Sequence, residues 1–261
     1  MKILALVSSN RKKGNTARIV QMIDAQAQAL AALHNTPLEF ETLYLGDFGV
    51  RPCRGCRACF DRGQDRCPLK DDMPLIRAKM DAADGLILAS PVYVNDVNGV
   101  AKTWIDRLAY LCHRPGLAGK CAYLIATVGH GPTGHALQTM NIALRTWGYH
   151  IVGQAGYKMG PLLPQDELES RFEEKTGKVA ATLFQAIYRE QALRPAFLSL
   201  MMFKIQQLAW QREAPGSLDY AFWQGQGWLD PAYTFYIAHH ANPVKVALAR
   251  LVGAVLYRFV A

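Results

Sequence analysis

Five short segments, largely apolar runs at residues 3–7, 85–90, 121–128 and 151–155 and an alternating stretch at 38–44, set the frame of this chain. Most of them lack the alternation of a half-exposed strand. A continuous apolar run this short reads as a strand buried on both faces. Between them lie segments with helical spacing. Ile19, Val20, Ile23 and Leu30 recur on one face over residues 17–33. Similar patterns cover 73–82, with Asp71 or Asp72 as its cap, then 100–111 and 134–147. Asp166 with Glu169 three residues on has the form of a capping box, opening a helix that runs to about Leu193. Strand and helix in regular succession predict an α/β fold: a five-stranded parallel sheet with helices on both faces. In such sheets ligands bind at the carboxyl ends of the strands, where the strand order reverses.

The loops at those ends are chemically distinctive. The first strand runs into Ser9, Asn10, Arg11, Lys12, Lys13, Gly14, Asn15 and Thr16 before the first helix. A strand-to-helix loop leaves unpaired backbone N–H groups around one point, which suits a phosphate. Ser9, Asn15 and Thr16 add side-chain donors, and Arg11 and Lys13 add charge; an ordinary capped loop is the plainer reading. After the third strand come Pro91, Val92, Tyr93, Val94 and Asn95, and after the fourth Gly129, His130 and Gly131. Together these loops predict a phosphate at residues 9–16 and a planar ring against 91–95 and 129–133.

Between the second strand and the next helix lies a cysteine-rich loop, residues 45–72. Cys53, Cys56 and Cys59 are spaced C-x2-C-x2-C, and Cys67 follows after seven residues. Four such thiolates can hold an iron–sulfur cluster or a zinc ion, and a metal-free loop is the third reading. Four of six cysteines within fifteen residues is no disulfide scaffold and points to a reducing compartment, hence a cytoplasmic protein. Cys112 and Cys121 fall on apolar faces and read as buried structural thiols.

The net charge of +8 suits an anionic partner: a nucleotide cofactor, an acidic redox protein or a membrane surface. No recognition helix or aromatic stacking pattern suggests nucleic acid. The apolar start at residues 3–7 is short and runs into Arg11, Lys12 and Lys13, unlike a signal peptide. No transmembrane helix is expected.

The loop from Ser9 to Thr16 is similar to the S-P-R-x-x-G-N-T loop of the NADPH-dependent FMN reductases, with Asn10 in place of proline. Ser90-Pro91-Val92-Tyr93, then Asn98-Gly99 and Lys102-x3-Asp106-Arg107, look like their flavin-ring loop and the helix after it. The cysteine loop with Asp71-Asp72-Met73 resembles the iron–sulfur flavoproteins of the same group. The resemblance covers about residues 1–190. It implies a flavodoxin-like fold with FMN at Ser9, Arg11, Asn15, Thr16, Pro91, Val92, Tyr93 and the Gly129 loop, and a 4Fe–4S cluster beside it.

Residues 1–193 are then expected to form the flavin domain and 194–261 a helical, aromatic-rich extension. The extension is expected to pack on the core, on a second copy in a homo-oligomer, or on a membrane surface. The leading function is an FMN oxidoreductase passing electrons from NAD(P)H to a small acceptor such as a quinone or another flavin. The alternatives are an iron–sulfur flavoprotein fed by ferredoxin and a non-catalytic flavin- or metal-binding regulatory module. No acid, base or nucleophile constellation is needed for chemistry that takes place on FMN.

Overall fold

A computed structural model describes residues 1–160, 164–189, 193–212 and 215–260. The parallel strands are β1 (Lys2–Val7), β2 (Glu39–Tyr44), β3 (Gly85–Tyr93), β5 (Cys121–Val128) and β6 (His150–Lys158). Their order is β2-β1-β3-β5-β6, and a two-residue strand, β4 (Asp96–Val97), pairs antiparallel with the end of β3. The order reverses at β1, so the loops after β1 and β3 open side by side.

The apolar runs are explained by what covers each face. Ile3, Ala5 and Val7 of β1 meet α1 (Asn15–Leu33) and α6 (Gln165–Tyr188) through Ile19, Ile23, Val179 and Leu183. Leu4 and Leu6 point the other way. They meet α3 (Met73–Ala82), α4 (Gly99–Arg107) and α5 (Gly134–Thr146) through Ile76, Met80, Trp104 and Met140. With both faces buried, every residue from Ile3 to Val7 is apolar.

Several boundaries differ from expectation. β3 continues past Ser90: Pro91 is its last residue in register with β5, opposite Thr127, and Val92 and Tyr93 pair with β4. α6 starts at Gln165 with Pro164 in the cap position, so Asp166 lies inside the first turn and forms no capping box. It ends at Tyr188, not Leu193. α4 stops at Arg107, and a short 3-10 turn carries the chain over Ala109–Cys112. The cysteine loop holds one short helix, α2 (Ala58–Asp61).

The extension forms α7 (Phe197–Arg212), α8 (Leu218–Gly225) and α9 (Pro243–Val260). Its own small core is Phe203, Trp223 and Trp228, with Trp210, Phe235 and Tyr236 packed around them. Buried Gln207 stitches it, its Nε2 donating to the carbonyls of Trp228 at 2.8 Å and Asp230 at 2.9 Å. Among the described residues, no helix is long and apolar enough to cross a membrane.

Candidate functional site

The loop after β1 is shaped by local hydrogen bonds. The Arg11 N–H donates to Ser9 Oγ at 3.2 Å, and the Gly14 N–H donates to the Arg11 carbonyl at 2.9 Å. A Cβ at Gly14 would stand 3.0 Å from Arg11 Cβ and 3.1 Å from its carbonyl oxygen, so the tight turn needs glycine. Gly14 caps α1 without a side chain, and the first helical bond runs from the Arg18 N–H to the Gly14 carbonyl. The N–H groups of Asn15, Thr16 and Ala17 therefore have no partner within the helix. They lie at its positive end, where an anion is favoured.

The side chains agree. Thr16 Oγ1 sits 2.6 Å from Thr127 Oγ1, which joins this loop to the end of β5. Asn15 Oδ1 is buried with no hydrogen-bond partner. Three open amides at a helix N-terminus suit an anion, and a phosphate fits them, whereas the orphaned Asn15 Oδ1 is an acceptor and calls for a donor such as a ligand hydroxyl. Arg11 and Lys13 are exposed and make no ion pair among the described residues. Lys12, by contrast, is held by Asp47 at 2.7 Å.

The loop after β3 is a hairpin. Val94 and Asn95 both have left-handed backbone, φ 47° and 67°, and Tyr93 pairs with Asp96. That is a type I′ turn. Val94 is fully exposed there, a β-branched residue where glycine or asparagine is the usual occupant. Asn98 locks the hairpin onto β1, with Nδ2 donating to the Ser8 carbonyl at 2.7 Å while Oδ1 caps α4 through the Ala101 N–H.

These loops enclose a cleft of about 230 Å³. Ser9, Arg11, Gly14, Asn15, Thr16, Pro91, Val92, Tyr93 and Gly129 line it, as the sequence suggested. Lys13, Asn95, His130 and Gly131 do not. Asn95 is spent on the turn, and His130 and Gly131 are exposed. Thr127, Val128, Met159 and Gly160 line the cleft but escaped the sequence reading. Their signal was position alone, at the carboxyl ends of the fourth and fifth strands.

Cys53, Cys56, Cys59 and Cys67 all line a second cavity, of about 580 Å³. Gly55 and Arg57 both have left-handed backbone, φ 65° and 60°, and turn the chain twice between the cysteines. Two sulfurs already accept N–H bonds: Cys53 from the Gly55 backbone at 3.4 Å and Cys67 from Arg107 Nη2 at 3.7 Å. Such donors are a feature of iron–sulfur sites. Cys59 is half-buried, and burial pushes its thiol up, with Cys53 and Cys67 close enough to add to the shift. Among the described residues, no group of three or more His, Cys, Asp or Glu is gathered around a single-ion centre. Four cysteines lining one cavity, two of them accepting N–H bonds, form a donor set of the kind an iron–sulfur cluster uses.

Two buried arginines fix this loop. Arg107 ion-pairs with Asp71, both nearly inaccessible, and donates to the Arg51 carbonyl at 2.9 Å. Burial opposes ionisation of Asp71, but Arg107 and the N–H groups of Arg51 and Met73 outweigh it and hold the carboxyl below its ordinary range. Arg114 donates to the Cys59 carbonyl and pairs with Asp219 of α8, whose other oxygen is 2.7 Å from His113 Nδ1. The extension thus reaches the cysteine loop through Arg114. Cys112 and Cys121, expected to be buried, are only partly so. Burial still raises the Cys121 thiol to about 11.

The cysteine cavity shares no lining residue with the flavin-type cleft and runs down the flank between α3 and α4. A third cleft of about 530 Å³ lies between the two. Tyr93 is common to it and the first cleft, while Val50 and Pro52 lead from it to Cys53.

An uncapped helix end at the switch point of a 2-1-3-4-5 parallel sheet, beside a hairpin able to flank a ring, defines a flavodoxin-like flavoprotein. Comparison with known proteins makes this specific. Residues 1–160 match the family described as NADPH-dependent FMN reductase. An iron–sulfur flavoprotein of Archaeoglobus fulgidus is 32% identical over 234 residues, covering 88% of this chain and all of that protein. An iron–sulfur flavoprotein of Methanosarcina thermophila is 31% identical, covering 59% of this chain and 78% of the relative. The chain belongs to this NADPH-dependent FMN reductase and iron–sulfur flavoprotein family, and it is an FMN-binding flavin oxidoreductase. The structure of RosB, solved with 8-demethyl-8-formylriboflavin-5′-phosphate, shares the fold: TM-score 0.56 at 15% identity, covering 93% of this chain and 92% of RosB. Since 234 aligned residues exceed the first 193, the likeness reaches into the extension, beyond the limit near residue 190 expected from motifs.

Proposed function

We propose that the protein carries electrons between a reduced donor and a small planar acceptor, with FMN in the first cleft and a 4Fe–4S cluster in the cysteine cavity. The observation that carries this reading is the arrangement of Cys53, Cys56, Cys59 and Cys67 on one cavity, with N–H donors already on two sulfurs. When bound, FMN supplies hydride acceptance and single-electron exchange, and the cluster supplies single-electron exchange.

The chain's own residues do the rest. The amides of residues 15–17 hold the phosphate, the Asn15 Oδ1 accepts from a hydroxyl of the ligand, and Thr16 is fixed by Thr127. Pro91, Val92 and Tyr93 border the ring position, and the rigid turn at Val94–Asn95 keeps them there. The middle cleft, walled by Leu45, Phe48, Val50, Val100 and Trp104, suits the apolar ring of a quinone or a second flavin. Arg54, Arg62 and Lys70 are exposed around the cysteines without ion-pair partners among the described residues. That favours docking of an acidic carrier such as ferredoxin.

NAD(P)H is a second donor, favoured by the family match. Bleaching of bound flavin by NADPH or NADH alone supports it, and bleaching only by reduced ferredoxin excludes it. Free thiols suit the cytoplasm. The small first cleft suits a homo-oligomer in which a second copy covers the ring. The decisive experiment is anaerobic reconstitution with iron and sulfide counted for wild type and Cys56→Ser. About four irons in the wild type and loss in the variant is the expected result. Equal iron in both, or none in either, removes the cluster and leaves a plain FMN oxidoreductase.

A further inference from the structure

The last helix presents an unpartnered stripe of large apolar side chains. Val244, Leu248, Leu251, Val255 and Phe259 are exposed by 75%, 51%, 62%, 46% and 84%. Their spacing of four, three, four and four residues places them on one face of α9. The opposite face is spoken for: Gly253 lies against α7 so closely that a Cβ there would stand 2.8 Å from the Met201 carbonyl oxygen. The stripe therefore points away from the body of the protein.

Charge says what covers it. From residue 231 to the end the sequence holds Lys245, Arg250 and Arg258 and not one Asp or Glu. α7 is free of acidic residues too and ends in Arg212, whose guanidinium lies 5.0 Å over the Tyr257 ring. Arg258 flanks the stripe, is exposed and has no ion-pair partner among the described residues. Lys245 and Arg250 are tied to backbone carbonyls, of Pro195 and of Tyr233 and Pro231, so Arg258 is the free cation beside the stripe. A second copy meeting this stripe would bring no carboxylate on its own last helix to match it. An anionic surface neutralises that charge.

We propose that the α9 face lies on an anionic lipid bilayer, with the stripe in the headgroup–acyl boundary and Arg258 at the phosphate level. The helix does not cross the membrane. Lying on it would hold the protein where lipid-soluble acceptors are concentrated. This goes beyond the proposed function and does not depend on the cluster.

The test is co-sedimentation of the FMN-loaded full chain with vesicles of mixed phosphatidylcholine and phosphatidylglycerol, and with phosphatidylcholine alone. The wild type should pellet with the mixed vesicles, remain free of the neutral ones, and be released by high salt. Leu248→Glu with Leu251→Glu should abolish pelleting, and Arg258→Glu should weaken it roughly tenfold. Retained flavin absorbance in each variant shows that the domain is folded. A wild type that stays in solution with both vesicles overturns the proposal, as does equal pelleting with both. A dimer dissociated by the double substitution, without vesicle binding, also overturns it and assigns the stripe to self-association.

Discussion

Asp219 is the residue through which the extension grips the cysteine loop, and its replacement by alanine has a calculable effect. Its carboxylate accepts from Arg114 and faces His113 Nδ1 at 2.7 Å. The Arg114 side chain is 7% exposed and that of Asp219 12%, so water cannot replace the lost partner. Arg114 would keep only the Cys59 carbonyl and the face of Tyr110, 5.4 Å away. Removing one member of a buried pair leaves an uncompensated charge and costs about 3–5 kcal/mol. For a chain of this size each kcal/mol lowers the melting temperature by about 2–4 °C, so a fall of roughly 6–20 °C is expected. Asp219→Asn keeps the shape and one acceptor and should lose about half as much. Calorimetry of the FMN-loaded protein gives the shift, and native-state alkylation of Cys59 shows whether the loop loosens. A melting temperature within a degree or two of wild type, with unchanged alkylation, would refute the bracing argument.

Asn15→Ala with Thr16→Ala should weaken FMN binding at least tenfold, at about 1–3 kcal/mol for each hydrogen bond lost; fluorescence titration of the apoprotein measures it. Gly14→Ala should also weaken FMN binding, because the added methyl pushes against Arg11 in the turn that aims the amides; the same titration reads it. Asp71 is held ionised by Arg107, so its contribution is complete above the ordinary carboxylate range near pH 4 and is lost as pH falls through its lower folded value. Denaturation of apoprotein between neutral and acid pH should show that acid loss in the wild type and a flatter limb in Asp71→Asn. Val94→Asn should stabilise the fold by about 1–2 kcal/mol by relieving a β-branched residue of left-handed backbone; a lower denaturation midpoint would show the turn is not strained.

What could be seen in advance follows from how far apart the interacting residues lie in the chain. The three inner strands were legible because burial on both faces leaves an unbroken apolar run, as Ile3–Val7 shows, and the edge strand β2 by its alternation. The phosphate loop was legible because its chemistry is local: Ser9, Arg11, Gly14 and Asn15 act on their neighbours. Thr127 was not, since its contact with Thr16 joins residues 111 apart. The capping box failed for a local reason, because Pro164 already occupies the cap position with a fixed φ. Cysteine spacing showed that the four sulfurs can share a centre. It could not show that the cavity they line runs down the flank of α3 and α4. That placement is set by Asp71 with Arg107 and by Arg114 with Asp219, pairs between residues distant in the chain. Likewise Lys13, Asn95 and His130 belong to the loops around the first cleft but do not line it, and only backbone geometry decides that.

The contact between Asp219 and Arg114 also sets an order of events during synthesis. Residues lining the first cleft end at Gly160, so that site can be complete while the rest of the chain is still being made. The clamp on Cys59 needs residue 219, which leaves the ribosome later. Until then the Cys59 segment lacks the brace that Asp219 gives through Arg114. Chains stalled just short of residue 219 should show Cys59 open to alkylation where released chains protect it, and equal protection in both would rule out this timing.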